Sequence, residues 1–413
     1  MKNTKKLLRS IKNNGIKSTI NKVAYKIKIA LSKTVFTVKK LNINNEIDFK
    51  KYKRVIIFEN QFGWNRIMKQ RPQQMANATD SDTLFIYGTP YTEIGHTDGL
   101  KKIKDNLYLV DLVIYKENLI NSLKSFRNKY LMIYSTDYIP LDILKPYLDA
   151  QFKVIYEYVD GIDDKLCGEK TGKLLRERHE IIVKEYNPYI VVTATKLLNN
   201  IKELKKDANV KLITNGVDYK HFAEFTGNIP ESIEKIKKKN NVILGYYGAL
   251  ASWFDYKLIE KLAKSDKNYQ IVLIGLDYDK TLDKSKILDL PNVHFLGKKE
   301  YNDLPQYLHA FDICMIPFVI NEITLSTSPV KAFEYMAARK PIVTTDLPEC
   351  RKYKSILIGK DDNDFVQKIK NALDKRNDEK YLDILTKEAK ENEWQNKFKE
   401  LINLISSGES YEG

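Results

Sequence analysis

From residue 55 onward, short β-branched apolar runs alternate with helical stretches, and nothing else in the chain limits its fold as strongly. "RVIIFEN", "TLFIYG", "LYLVDLVI", "YLMIYST", "KVIYEYVDG", "YIVVTA" and "VKLITNGVD" have the length and the Val, Ile, Tyr and Phe content of strands. Stretches such as "IMKQRPQQMANA" and "KLLRERHEIIVKEY" separate several of them as helices. Strands alternating with helices imply a parallel sheet covered on both faces. "AEFTGNIPESIEKIKKKNN", residues 223–241, then breaks the pattern with Gly, Pro and lysines, as a connection between domains does. A second alternating set follows: "VILGYYG", "QIVLIGL", "VHFLGK", "DICMIPF", "PIVTTD" and "SILIGK". The expectation is an α/β protein with two Rossmann-like domains facing a cleft, over residues 54–225 and 226–383. A C-terminal helix over 384–413 is expected to pack back towards the first domain. The length of 413 residues agrees, being too great for one ordinary core.

The net charge of +15 belongs to one end of the chain. Residues 1–54 hold 16 Lys and Arg against 2 Asp and Glu, whereas the remaining 359 residues hold 53 against 52. Ile16, Ile20, Val23, Ile27, Leu31 and Val35 recur there at three-to-four spacing with lysines between them. Residues 1–53 thus read as a basic amphipathic extension for an anionic membrane surface, the alternative being a solvated tail or a helix packed on the body. No stretch approaches the roughly 18 apolar residues that span a bilayer. The opening "MKNTKKLLRSIKNNG" lacks the apolar core and cleavage site of a secretory signal. Aromatic residues that stack on bases are few in this segment, which argues against nucleic acid as a partner. Cys167, Cys314 and Cys350 are far apart and odd in number, forming neither a metal set nor a disulfide framework. They fit a reducing compartment, so the expected location is cytoplasmic, peripheral at the inner face of the membrane.

Ligands of open α/β sheets bind beyond the carboxyl ends of the strands. That directs attention to "NEITLSTSPVKAFEYMAARKPIV", which follows the strand "DICMIPF". Thr327 and Ser328 suit a helix N-cap and Pro329 the first helical position. Val330, Phe333, Met336 and Ala337 form the apolar stripe, while Lys331 and Glu334 share a face that the stripe does not use. Free N–H groups of Ser326, Thr327 and Ser328 at a positive helix end would make an anion site. Lys331 would add a formal charge against a diphosphate, and Glu334 would accept hydrogen bonds from a ribose diol. Spacing alone equally allows an exposed i,i+3 pair worth about a few tenths of a kcal/mol.

"SPVKAFEYMAARKPIVTTD", with "NVHFLGKKEYNDLPQYLHAFDICMIPF" before it and "NGVDYKHF" earlier, resembles the retaining GT-B glycosyltransferases of family 4. The resemblance is greatest to members that build bacterial cell-surface polysaccharides. "WNRIMKQRPQQMA" and "YEYVDG" resemble the matching N-terminal domain, and "YYGALASWFDYKLIEKLA" the start of the donor domain, so residues 55 to about 405 are covered. The resemblance implies a nucleotide-sugar donor held chiefly by the C-terminal domain and a glycan or lipid-linked acceptor held by the N-terminal one. By position, Glu334 matches the glutamate that holds the ribose, and Ser326, Thr327 and Ser328 the backbone that holds the distal phosphate and sugar. Gly297, Lys298 and Lys299 match the loop that reads the base. Two positions depart from the pattern. Ser326 stands where a first glutamate is frequent. After the first donor-domain strand, where an Arg and a Lys are frequent, "GALASWFDYK" offers Gly248, Trp253 and Asp255, with Lys257 the only cation. Phosphate neutralisation then falls to Lys331, the helix ends and Arg71.

Other residues carry weaker signals. Asp160, ending "VIYEYVD", either orients or deprotonates an acceptor hydroxyl or caps the helix that follows. Gly63 and Trp64 follow the first strand, where a tight turn either lets backbone approach the sugar or phosphate or is only structural. "GYYG" is not a dinucleotide fingerprint. Asp277 and Asp279 in "DYD" mimic a metal-binding pair but sit in a polar loop, and the five histidines form no ligand-spaced pair, so no metal and no cofactor is expected. The expected activity is transfer of a sugar from a nucleotide sugar in cell-surface polysaccharide synthesis. A nucleotide-sugar epimerase of the same fold, or a non-catalytic nucleotide- or glycan-binding subunit of a membrane complex, is the alternative.

Overall fold

The computed structural model describes residues 43–60, 62–65, 69–94, 99–237 and 241–406, and the basic stripe of residues 16–35 lies outside them. Within the described residues two compact units form. One takes residues up to 65, 81–133 and 139–153, and the other the remainder.

In the first unit, β1 (Arg54–Phe58), β2 (Thr83–Gly88), β3 (Leu100–Lys104), β4 (Leu107–Val110) and β5 (Lys129–Tyr134) lie in the order β3-β4-β2-β1-β5. All pairings are parallel except β3 with β4. Val55 to Phe58 and Leu84 to Tyr87 are fully buried, as apolar runs covered on both faces must be. β3 was not anticipated: "LKKIK" is too polar to read as a strand, and its lysines suit an antiparallel edge. "LYLVDLVI" is not one run but two elements. The strand ends at Val110, and the Asp111 carboxylate accepts from Val113 N at 2.9 Å, starting the helix Leu112–Ser122. Residues 43–51, counted above with the basic extension, form short helical turns that bury Ile43, Ile47 and Phe49.

In the second unit, β6 (Lys153–Tyr158), β7 (Tyr189–Val192) and β8 (Val210–Leu212) pair in parallel. A separate six-stranded sheet comprises β9 (Val242–Tyr247), β10 (Tyr269–Ile274), β11 (Val293–Phe295), β12 (Ile313–Ile316), β13 (Ile342–Thr345) and β14 (Ile356–Gly359). Its order is β11-β10-β9-β12-β13-β14, parallel throughout. Numbered from its own first strand this is 3-2-1-4-5-6, the order of dinucleotide-binding folds, and it places the switch point between β9 and β12. Tyr246, Leu273, Ile316, Tyr335 and Cys314 fill the core beside it, and Cys350 is also buried. The C-terminal stretch is two helices, Glu379–Glu391 and Trp394–Ser406. They break where Val217 N donates to Asn392 O at 2.9 Å and Trp394 N donates to Val217 O at 3.1 Å. Among the described residues no helix is long and apolar enough to cross a membrane.

Candidate functional site

The carboxyl ends of β9 and β12 gather the chemistry. β9 runs into Gly248, whose φ of 143° only glycine adopts readily, and β10 into Gly275 with φ 151°. A Cβ on Gly275 would lie 1.8 Å from the Gly248 carbonyl oxygen, so the two turns are pressed together. Gly275 N donates to Gly297 O at 3.0 Å, which ties the loop carrying Lys298 and Lys299 to the same place. Lys298 is exposed, and the Lys299 ammonium lies 5.3 Å from the centre of the Tyr307 ring. Gly275→Ala is expected to cost about 1–3 kcal/mol in urea unfolding, because backbone must move to admit the methyl. Gly161→Ala, whose new methyl meets only the Ser326 side chain, Oγ at 3.4 Å and Cβ at 3.6 Å, serves as the near-neutral control.

The helix Val330–Ala337 follows β12 and aims its start at this end of the sheet. Glu334 is not the exposed half of a surface pair: it is 7% exposed and accepts from the Tyr247 hydroxyl at 2.8 Å. Burial pushes its carboxyl up to about 7, against the opposing effects of the Tyr247 hydrogen bond and Lys331. Lys331 is pushed down to about 8 by the same burial, with Glu334 opposing. Its ammonium lies 5.4 Å from the Tyr246 ring centre and 5.0 Å from that of Phe318, so two aromatic rings flank it while the residue stays half-buried.

The preceding segment differs from the expected cap. Ser326 N donates to Ile323 O at 3.1 Å and Thr327 N to Thr324 O at 3.2 Å, so these N–H groups close a 3₁₀ turn, Thr324–Ser326, instead of standing free. The Ser326 and Thr327 hydroxyls donate back to Glu322 O and Ile323 O, and Pro329 occupies the cap without a side-chain bond. Residues with hydroxyls four positions past an open carbonyl bond backward, which spacing alone did not reveal. Ser328 keeps its place: its hydroxyl accepts from Asn215 N at 3.3 Å and its carbonyl from Asn215 Nδ2 at 2.7 Å. The N–H groups of Ser328, Val330 and Lys331 remain at the helix start.

Asp160 is brought close. Its neighbour Gly161 lies against Ser326, and an ion pair joins Lys196 to Glu322. Asp160 is open at its surface, yet the surrounding protein raises it to about 6, with Arg71 opposing. It does not cap the next helix, because Asp163 does so through Lys165 N at 2.7 Å. Arg71 is not a spare cation. Its guanidinium is 5% exposed and donates to Glu157 at 2.7 and 3.5 Å, to Thr214 O at 2.9 Å and to Asn215 Oδ1 at 3.4 Å.

The remaining candidates have structural partners. Asp255 caps the helix Tyr256–Ser265 through Leu258 N at 2.9 Å. Half-buried Trp253 accepts from Val319 N through its carbonyl and sets its ring 5.9 Å from that of Tyr278. Asp277 and Asp279 accept backbone N–H groups of their own loop and of Ser252. In the other unit, Trp64 N and Asn65 N donate to the Glu93 carboxylate, which would lie 2.0 Å from a Cβ on Gly63. That turn therefore already holds a carboxylate from its own unit. Sequence reasoning did not single out Tyr247, Asn215, Glu157 or Glu93. "YYG", "YEYVDG" and "NGVD" contained three of them, with no local pattern to mark their partners.

Residues 241–375 match the family described as Glycosyl transferases group 1. The putative teichuronic acid biosynthesis glycosyltransferase TuaH of Bacillus subtilis (strain 168) is 24% identical over 265 residues, covering 60% of this chain and 66% of TuaH, just short of two thirds of that relative. Anabaena HepE, solved in complex with UDP-glucose, superposes with a TM-score of 0.61 at 14% identity, over 86% of this chain and 99% of that one. A glycosyltransferase from Rickettsia africae superposes with a TM-score of 0.62 at 13% identity, over 88% of this chain and 100% of that one. At these identities the structures establish the fold. The chain thus shares the two-sheet fold of these solved proteins, and its second sheet and the helices around it match the group 1 glycosyl transferases.

Proposed function

We propose that this protein is a retaining GT-B glycosyltransferase that moves a sugar from a nucleotide sugar to a glycan or lipid-linked acceptor in cell-surface polysaccharide synthesis. The observation that carries the reading is Glu334. A carboxylate is buried against Tyr247 at the switch point of a 3-2-1-4-5-6 sheet, one turn from a helix start that also holds Lys331. A ribose diol gives such a carboxylate partners, and the diphosphate meets Lys331 and the N–H groups of Ser328 and Val330. The group 1 match over the same residues and the likeness to TuaH support it. In transfer with retention, the bond from the anomeric carbon to phosphate breaks and that to the acceptor oxygen forms on the same face. The departing phosphate takes the acceptor proton, so no protein nucleophile is required. Lys331 and the helix start stabilise the developing diphosphate charge, and Asp160 orients the acceptor hydroxyl. These groups supply the electrostatics without a metal, so turnover is expected to survive a chelator.

Incubating the protein with a nucleotide-sugar panel and a panel of glycan and lipid-linked acceptors tests the reading. Transfer with retained anomeric configuration supports it. A sugar isomer formed from donor alone makes the protein an epimerase, and binding without either product makes it a binding subunit.

The basic extension completes the proposal: of residues 1–53, the part before buried Ile43 holds the enzyme at the inner face of the cytoplasmic membrane. Each Lys or Arg contributes about 1 kcal/mol at an anionic surface. Full-length protein is expected to co-sediment with phosphatidylglycerol vesicles at low salt, with less binding as salt rises. Removing residues 1–42, and so sparing buried Ile43, should abolish binding while leaving transfer to a soluble acceptor intact. Indifference of the full-length protein to such vesicles at low salt would refute the assignment.

A further inference from the structure

We propose that Asn215 is the positioning residue of the donor site, fixing Ser328 at the helix start from the buried Arg71–Glu157 pair; this rests on the donor reading above. Asn215 makes two bonds to Ser328, from its amide Nδ2 to the carbonyl and from its backbone N–H to the hydroxyl. Holding both ends of Ser328 fixes the residue whose N–H opens the anion-binding turn. The amide orientation is settled by its partners: Arg71 can only donate and the Ser328 carbonyl can only accept, so Oδ1 faces the guanidinium and Nδ2 faces Ser328.

Behind Asn215 the chain has no slack. Thr214 O accepts from Arg71, and Thr214 Oγ1 from Lys397 at 2.9 Å. A Cβ on Gly216 would lie 2.6 Å from Asn392 O, and Val217 is bonded on both sides to Asn392 and Trp394. Ser328 is itself buried. A rigid path therefore runs from Glu157 through Arg71 and Asn215 to the helix start, and none of its first three members needs to touch the donor.

The test uses the full chain, as wild type, Asn215→Asp and Asn215→Ala. Titration calorimetry with UDP, GDP, ADP and CDP, and with the four parent nucleosides, is paired with thermal melts. Asn215→Asp is isosteric and sets a second carboxylate beside Arg71, so it keeps the shape of the site and should melt no earlier than Asn215→Ala. It also points an oxygen at the Ser328 carbonyl oxygen. Affinity for the nucleoside diphosphate that binds wild type should therefore fall at least about tenfold, as much as in Asn215→Ala or more. Nucleoside affinity should stay within about twofold, because the base and ribose contacts lie elsewhere. A purely structural Asn215 gives the opposite order, with Asp milder than Ala and nucleoside and diphosphate weakened alike. That order, or wild-type affinity in Asn215→Asp, overturns the proposal. If wild type binds none of the four diphosphates, the donor reading itself falls, and the positioning role with it.

Discussion

Glu334→Gln is expected to lower nucleoside-diphosphate affinity roughly ten- to hundredfold while leaving the protein at least as stable at pH 8. Hydrogen bonds to a charged group contribute about 1.5–3 kcal/mol, and each 1.4 kcal/mol is about tenfold in affinity. Stability moves the other way because burial already disfavours this carboxylate. The folded protein holds the Glu334 proton up to about pH 7, whereas an unfolded glutamate releases it near its ordinary 4.5. Between those values the folded state binds more protons, so stability falls as pH rises from 4.5 to 7. Lys331 acts in the opposite sense. Its folded value of about 8 lies below the ordinary 10.5, so the unfolded state binds more protons in that interval and stability rises across it. Melting curves from pH 4.5 to 10.5 should show both limbs in wild type and only the alkaline limb in Glu334→Gln. Donor affinity in wild type should weaken as pH falls below 7, when the carboxylate gains its proton. A variant that melts far earlier yet binds nucleotide normally would make Glu334 a structural residue.

Arg71→Ala should produce the largest loss of stability. Its partner Glu157 is fully buried, and removing one member of a buried pair leaves an uncompensated charge, at about 3–5 kcal/mol. Part of that cost is packing, since the guanidinium also lies 5.9 Å from the Trp394 ring centre. Arg71→Met combined with Glu157→Leu should recover much of the stability, because apolar side chains of similar size carry no desolvation cost. Urea unfolding of the two variants separates these effects. A loss below about 1 kcal/mol in Arg71→Ala would show that the pair is not the organising contact it is taken to be.

The sheets were legible because burial on both faces forces continuous apolar runs, and each anticipated run contains a strand of the structure. β3 was not legible, since an edge strand can be made largely of lysine. At the site, the helix Val330–Ala337 and the placing of Lys331 and Glu334 on it followed from local periodicity. What that periodicity could not give was tertiary: that Tyr247 buries Glu334, that Glu157 neutralises Arg71, and that Asn215 reaches Ser328 across 113 positions. Nor could it show that Ser326 and Thr327 turn their N–H groups back into their own loop, where two competing local patterns use the same residue types.

A crystal structure of the full chain with a bound nucleoside diphosphate tests the central claim most directly. The ribose hydroxyls should lie within about 2.6–3.2 Å of the Glu334 carboxylate, with the diphosphate against Lys331 and the N–H groups of Ser328 and Val330. The contrary result is a nucleotide seated elsewhere. One such place is the cavity of about 640 Å³ lined by Lys237, Arg339, Lys340 and Arg376 at the amino ends of the second sheet, and occupancy there would leave Glu334 paired with Tyr247 alone.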